Sequence, residues 1–415
     1  MTAAAKTRWG WRPACPVSVG IWLAVVVLAF PLVPGAQAHS PYETPPVMKV
    51  TDLAPAGLIV GQGYRVGENV PTTGLLGAFA LEADVGTLDA HGLHLLRIRI
   101  GELGAIRQLE ETSKTAEFAK AAGRAAMRPV EATVNMVAHP VDTISGMPAS
   151  VGRFFDRVKL GGESIAQAAS APDKGGMERT ADVGERIGAV TINPILSKKL
   201  TDVAWVTFSA REAVNLTTAV VMPYSMVMST VSLTNNLIWD MKPADLVAPN
   251  QKKATDMGAG DEAASALIAN KNYSISALTA LMTALERLGP ILGRADVVAL
   301  AATAANEDQA RFLMGSAQML AHHHEWVTPL ATVMARGTVV GKTATGGLVV
   351  GAPVDYVVWT DNVANFARRP DFAATSRDIW LTRRMSPRAR HEFERIGWRV
   401  HEGSRQPSRT EEFAP

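Results

Sequence analysis

Nine histidines and a single cysteine set the nucleophilic and metal chemistry open to this 415-residue chain. The densest group is His322-His323-His324, followed directly by Glu325. Such a run suggests a metal cluster, with His322 and His324 as candidate ligands. On a helix, however, consecutive side chains point about 100° apart, so three adjacent imidazoles do not converge on one ion. The run also falls where a helix is expected to end, and there the dipole favours positive charge. His39 is a further candidate. Cleavage after Ala38 would make it N-terminal, so that its α-amine and Nδ1 could chelate copper, with Met222, Met226 and Met228 as soft ligands. Methionines at helical spacing also fill core gaps, and the arm after His39 looks too flexible to preorganise a third ligand. His91 and His94 straddle a change from strand to helix, where a surface or capping role is the simpler account. No cofactor is expected.

Other motifs stop short of a catalytic pattern. Gly337-Thr-Val-Val-Gly341-Lys342-Thr343 resembles a phosphate-binding loop, but Arg336 stands where the first glycine is required. A β-rich run also follows it, where a phosphate cradle needs a helix. Pro148-Ala-Ser150-Val-Gly152 lacks the first glycine of a nucleophile elbow. Residues 377–403 concentrate Arg377, Arg383, Arg384, Arg388, Arg390, Arg395 and Arg399 against Asp378, Glu392 and Glu394. Forked guanidinium hydrogen bonds suit phosphate or carboxylate, so Arg383, Arg384, Arg388 and Arg390 are candidates for an anion or partner site. Arg124, Arg128, Arg153, Arg157 and Lys159 beside Phe154 and Phe155 suit an anionic membrane surface, although Glu131, Asp142 and Asp156 are interleaved.

The first 38 residues read as an export signal. Lys6, Arg8 and Arg12 form a basic start, Val17 to Phe30 an apolar run, and Ala36-Gln37-Ala38 a small-x-small cleavage site. The run is about six residues short of a bilayer span. Of 41 basic residues, loss of these three leaves 38 against 39 acidic ones, so the mature chain is near neutral and ill suited to bulk nucleic-acid binding. Cys15 leaves with the signal, which removes thiol and disulfide chemistry from the mature protein. Periplasmic or extracellular residence follows.

The elements that would position these residues read as mainly α with small β parts, an α+β chain with a bundle-like helical core. Residues 39–92 form an extended arm and a hairpin, with Phe79, Leu81 and Ala83 alternating before Asp84-Val85-Gly86 and then Leu88 and Ala90. Residues 93–160 are helical, with Pro129, Pro140 and Pro148 opening short helices. Residues 161–193 are a Gly-, Ala-, Ser- and Asp-rich linker, and 194–335 a second helical domain. Within it, Val214 to Leu233 is apolar but diluted by polar residues, which favours core helices over a membrane span. The same domain holds an amphipathic helix from Ile275 to Leu288 and another capped by Asn306. Residues 336–403 form an α/β unit comprising a hairpin, a helix near Asp355 to Arg368, and a strand–helix–strand at 377–403. Residues 404–415 are a disordered tail.

His139-Pro-Val-Asp-Thr-Ile-Ser-Gly-Met-Pro-Ala-Ser-Val-Gly-Arg-Phe-Phe155, Ala352-Pro-Val-Asp-Tyr-Val-Val-Trp-Thr360 and Ser386-Pro-Arg-Ala-Arg-His-Glu-Phe-Glu-Arg-Ile-Gly-Trp398 are similar to segments of uncharacterised exported proteins of Gram-negative bacteria. The likeness spans most of the mature chain and implies export; it carries no activity or catalytic residue. The expected function is a non-enzymatic envelope scaffold that binds an envelope protein or the membrane surface, without nucleic acid and without a transmembrane helix. A hydrolase of an envelope or extracellular polymer and a periplasmic copper-binding protein are the alternatives.

Overall fold

The computed structural model describes residues 40–114, 187, 191–210 and 243–404. The expected export signal and Pro-opened helices, His39, most of the expected linker, Val214 to Leu233 and the tail from 405 lie outside the described residues. The described residues from Tyr42 on belong to one unit.

The helical-bundle expectation is overturned. The described residues hold eleven helices and thirteen strands in four sheets, a mixed α/β protein. Its main body is a five-stranded sheet of β7 (Leu330–Ala335), β8 (Val339–Thr343), β9 (Leu348–Ala352), β11 (Arg377–Leu381) and β13 (Trp398–His401), in the order β13-β11-β9-β8-β7. β7, β8 and β9 run antiparallel, whereas β9, β11 and β13 are parallel. Parallel neighbours require crossovers. α10 (Asp361–Ala367) lies on the path from β9 to β11, and α11 (Pro387–Arg395) on the path from β11 to β13. What reads as a small hairpin is thus the middle of a larger sheet. Its first strand lies inside the stretch assigned to helices.

Both faces are covered, so the strands read as near-continuous apolar runs. Val340, Leu348, Val350, Ile379 and Leu381 pack with Phe372 and Phe393 beneath α10 and α11. Their alternates Val333, Val339 and Val349 pack against α7 (Ile275–Arg287), α8 (Arg294–Ala302) and α9 (Glu307–Trp326). Local caps act where the sequence places them. Asn306 accepts from the Gln309 amide (2.9 Å), Ser386 accepts from Ala389 (2.9 Å), and Gly397 ends α11 with φ +89. The contact of α9 with the sheet is close because Gly351 has no side chain. A Cβ there would sit 2.7 Å from that of Met319, and Ser316 Oγ donates to the Gly351 carbonyl (2.6 Å).

The N-terminal part carries more strand than one hairpin. β2 (Val60–Gly61), β3 (Tyr64–Val66), β5 (Ala78–Ala83) and β6 (Gly86–His91) form an antiparallel sheet, and β1 (Val47–Lys49) pairs with β4 (Asn69–Pro71). Strands of two or three residues carry too little alternation to be read beforehand. α3 (Leu93–Ser113) packs on β5 and β6 and lies beside α4 (Pro194–Ala210). Glu102 takes hydrogen bonds from Thr191 and Asn193 (both 2.8 Å) at the start of α4, and further along both helices Glu110 meets Lys199 (3.6 Å). The two helices therefore run parallel.

Asp355, expected inside a helix, instead lies in the loop after β9. Its carboxylate accepts from the Gly77 amide (2.9 Å) and the Leu93 amide (3.1 Å), and so caps α3. Leaving two buried N–H groups without an acceptor costs about 1–3 kcal/mol each. Asp355→Ala is expected to lose about 2–5 kcal/mol of unfolding free energy in urea denaturation. A loss below about 0.5 kcal/mol would show that water replaces the carboxylate at no cost.

Candidate functional site

The two-turn step from Ser316 along α9 leads to His323, which therefore faces the same sheet surface. There it meets Trp380 of β11 edge to face, with centroids 5.5 Å apart. Trp380 is stacked in turn on His401 of β13, 4.1 Å away with the rings 11° from parallel. Register explains the stack, because Trp380 pairs with His401 and Asp378 with Arg399 across parallel strands. Asp378 accepts from Arg399 Nε (2.8 Å) and NH2 (2.5 Å) and contacts His401 Nε2 (2.9 Å). Three rings and an ionic triad thus share one corner of the sheet. His323 is 7% exposed, while the Arg399 side chain is 65% exposed at the sheet edge.

Two polar atoms in this corner are buried without a hydrogen-bond partner, Nδ1 of His323 and Nε1 of Trp380. Burial pushes His323 below the ordinary histidine value, and the Thr328 backbone and Asp378 only partly offset it. Burial pushes the Asp378 carboxyl up, but the hydrogen bonds and charges of Arg399 and His401 outweigh this and hold it below the ordinary value. Asp378 fixes the orientation of His401 as a carboxylate fixes a general base. With Arg399 engaged on the same carboxylate, the corner is close to electrically neutral when both imidazoles are.

The residues singled out from sequence go to separate places. His322 lies against Trp326, with centroids 6.5 Å apart, and His324 Nδ1 accepts from the Leu330 amide (2.9 Å). The three neighbouring imidazoles thus take three different partners. His91 Nδ1 contacts Asp308 Oδ2 (2.6 Å), and His94 stands exposed in the first turn of α3. No group of three or more His, Cys, Asp or Glu side chains suited to a metal ion occurs among the described residues. Gly337 to Thr343 is a tight turn and the antiparallel strand β8, with no helix after it to cradle phosphate.

The arginine group is partly consumed internally. Arg390 is ion-paired with Glu402 (2.5 Å) and Glu394 (3.6 Å). Arg384 lies over the Tyr356 ring and reaches the Asp52 carbonyl (3.4 Å). Arg383 lies close enough to Asp355 to favour its ionised form. Glu402 is the residue missing from the charge balance drawn above, and it also accepts the Met385 amide (2.9 Å). Trp380, Asp378 and His401 were not read as a site. Their only sequence signal is polar residues at alternate positions of two strands, and it means nothing until the register is known.

Asp378 contributes stability above the ordinary aspartate value of 3.8, and this is lost as pH falls through its lowered value. Asp378→Asn is expected to flatten the acid limb of a stability–pH curve below about pH 4 and to cost about 1 kcal/mol at neutral pH, because Arg399 is solvent-screened. An unchanged acid limb in chemical denaturation would remove Asp378 from the account.

Comparison with known families, curated proteins and solved structures found no match to this chain.

Proposed function

We propose that this chain is an exported envelope protein that works by binding, as a scaffold at the membrane surface. The observation that carries this reading is the parallel pair α3 and α4. Both helices direct their C-terminal ends the same way, so the chain enters residues 115–186 and 211–242 from one end of the pair. In sequence the first stretch holds Arg153, Phe154, Phe155, Arg157 and Lys159, and the second the apolar run from Val214 to Leu233. Basic residues interleaved with phenylalanine suit a headgroup layer, where aromatic rings enter the interface and cations meet anionic lipid. The pair is anchored by a buried network. Arg99 donates to Glu102 (2.9 Å) and Glu307 (2.5 Å), and Glu307 also accepts from Arg311 (2.7 Å).

Export is supported by the basic–apolar–cleavage pattern of residues 1–38. Among the described residues no helix is long and apolar enough to cross a membrane. The internal pairing of Arg390 and the ring contact of Arg384 favour the 153–159 stretch over the arginine group as the membrane contact.

The test is co-sedimentation of the full mature chain with vesicles of phosphatidylcholine alone or mixed with phosphatidylglycerol. Binding is expected only with the anionic lipid and should weaken as salt rises. Replacing Arg153, Arg157 and Lys159 by Gln should reduce it about tenfold or more, at about 1 kcal/mol per cation near the surface. The Gln variant at Arg383, Arg384, Arg388 and Arg390 should keep both the fold and the binding. Equal recovery on both vesicle types would overturn the membrane reading, and loss of binding only in the second variant would move the contact to residues 383–390.

A further inference from the structure

The histidine run sits at the joint between α9 and β7, and the contacts of its rings call for neutral imidazoles. His324 Nδ1 accepts the Leu330 amide, a bond that a proton on that nitrogen abolishes. His323 is buried against Trp380 with no hydrogen bond at Nδ1, so a cation there would stand desolvated, its burial only partly offset by the Thr328 backbone and Asp378. His322 lies on Trp326 beside Arg287, whose charge opposes a second cation. These rings bracket the turn itself. The His323 carbonyl accepts from the Val327 (3.0 Å) and Thr328 (2.9 Å) amides, and two residues later Leu330 opens β7.

We propose that residues 322–330 form an acid-sensitive joint, closed while His322 and His323 are neutral and released when they take up protons. Release detaches the start of β7 from the end of α9 and uncovers Trp380. The groups that could hold protonated histidines in place are already engaged. On α9 itself Glu325 is paired with Arg287 of α7. From β11 Asp378 faces His323, but it is occupied by Arg399 and His401 of β13. Lys342 of β8 alternates with Gly341 and so points to the other face of the sheet. The helix dipole favours positive charge at this end, but it acts on exposed cations and leaves the burial of His323 unrelieved.

Burial pushes His322 and His323 below the ordinary histidine value of 6.5. The unfolded segment therefore binds protons first, and local stability is full above that value and falls as the pH drops below it.

The experiment is amide hydrogen exchange by mass spectrometry on the full chain at about pH 7.5 and about pH 5, corrected for intrinsic exchange rates. Peptides spanning 326–334 should lose about tenfold in protection at the lower pH, the worth of one backbone hydrogen bond, while peptides spanning 384–396 stay unchanged. His323→Phe with His324→Asn keeps a ring against Trp380 and places an amide oxygen where Nδ1 accepted. That variant should stay protected at both pH values. Should it fail to fold, the wild-type histidine carbon–proton resonances are followed instead, and their titration should coincide with the loss at 326–334. Equal protection at both pH values, uniform loss over the whole chain, or the same acid loss in the double variant would each overturn the proposal.

Discussion

The carboxylate of Asp355 is the constraint on which the arrangement of the chain turns. It comes from the loop after β9, yet it serves the amides of Gly77 and Leu93 more than 250 residues earlier. Without it the N-terminus of α3 would meet the α/β layers with bare N–H groups, and a buried helix end of that kind is rarely tolerated. Gly92, at φ +93, turns the chain so that the Leu93 amide can point at this acceptor. A buried carboxylate carries its own cost. Burial pushes Asp355 above the ordinary aspartate value, opposed by the two amides and by Arg383 and Arg97. The two amides and the arginine charge reduce that cost without cancelling it. Glu43 repeats the device, taking the Trp359 amide and the Ser386 hydroxyl (both 2.6 Å) on one oxygen. Two acids therefore do for the N-terminal part what apolar burial does within each layer.

Once the layers are locked, the corner around Trp380 follows from packing. Gly351 lets α9 approach the sheet until Ser316 reaches its carbonyl. That approach sets the depth of every residue on the same helical face, His323 included. A larger residue at 351 would lift α9, stretch the Ser316 hydrogen bond and draw His323 away from Trp380. His401 is placed independently, by the parallel pairing of β11 with β13. The two histidines thus reach one indole from different elements, His323 edge to face and His401 stacked. The corner therefore reports on both the helix layer and the sheet edge.

Legibility followed the range of the interactions. Cap residues and the glycine after α11 act within a few positions, so Asn306, Ser386, Pro387 and Gly397 could be read directly. The β5–β6 hairpin was equally plain, because six-residue strands show alternation and Asp84 to Gly86 shows the turn. The five-stranded sheet was not legible as a sheet. Strands covered on both faces lose their alternation, and Leu330 to Ala335 directly follows a helix and was absorbed into it. Asp355 was misread because Asp-Tyr-Val-Val-Trp suits a helix start as well as a loop, and only the distant Gly77 and Leu93 decide between them. The Asp378–His401 contact joins residues 23 apart through a register that no local signal fixes. The opposite logic applied to His322, His323 and His324. Helical geometry excluded convergence on one ion, but it could not reveal that each ring would find its own partner.

Among the described residues, several arginines hold elements together. Arg399 grips Asp378 across two strands, and Arg336 and Arg369 share Asp371, whose carboxyl is pulled down to about 2. Arg368 lies over Trp359 and Arg377 over Trp398, placing cations on the rings of the two largest buried side chains. A guanidinium suits this task because its flat face covers an aromatic ring while its edge still donates. Exposed ion pairs of this kind add little stability singly. Arg368 also meets Glu392 (3.7 Å), so the cation on the Trp359 ring ties the end of α10 to α11. An arginine-rich stretch in a near-neutral chain is then explained by internal orientation before any external anion is invoked.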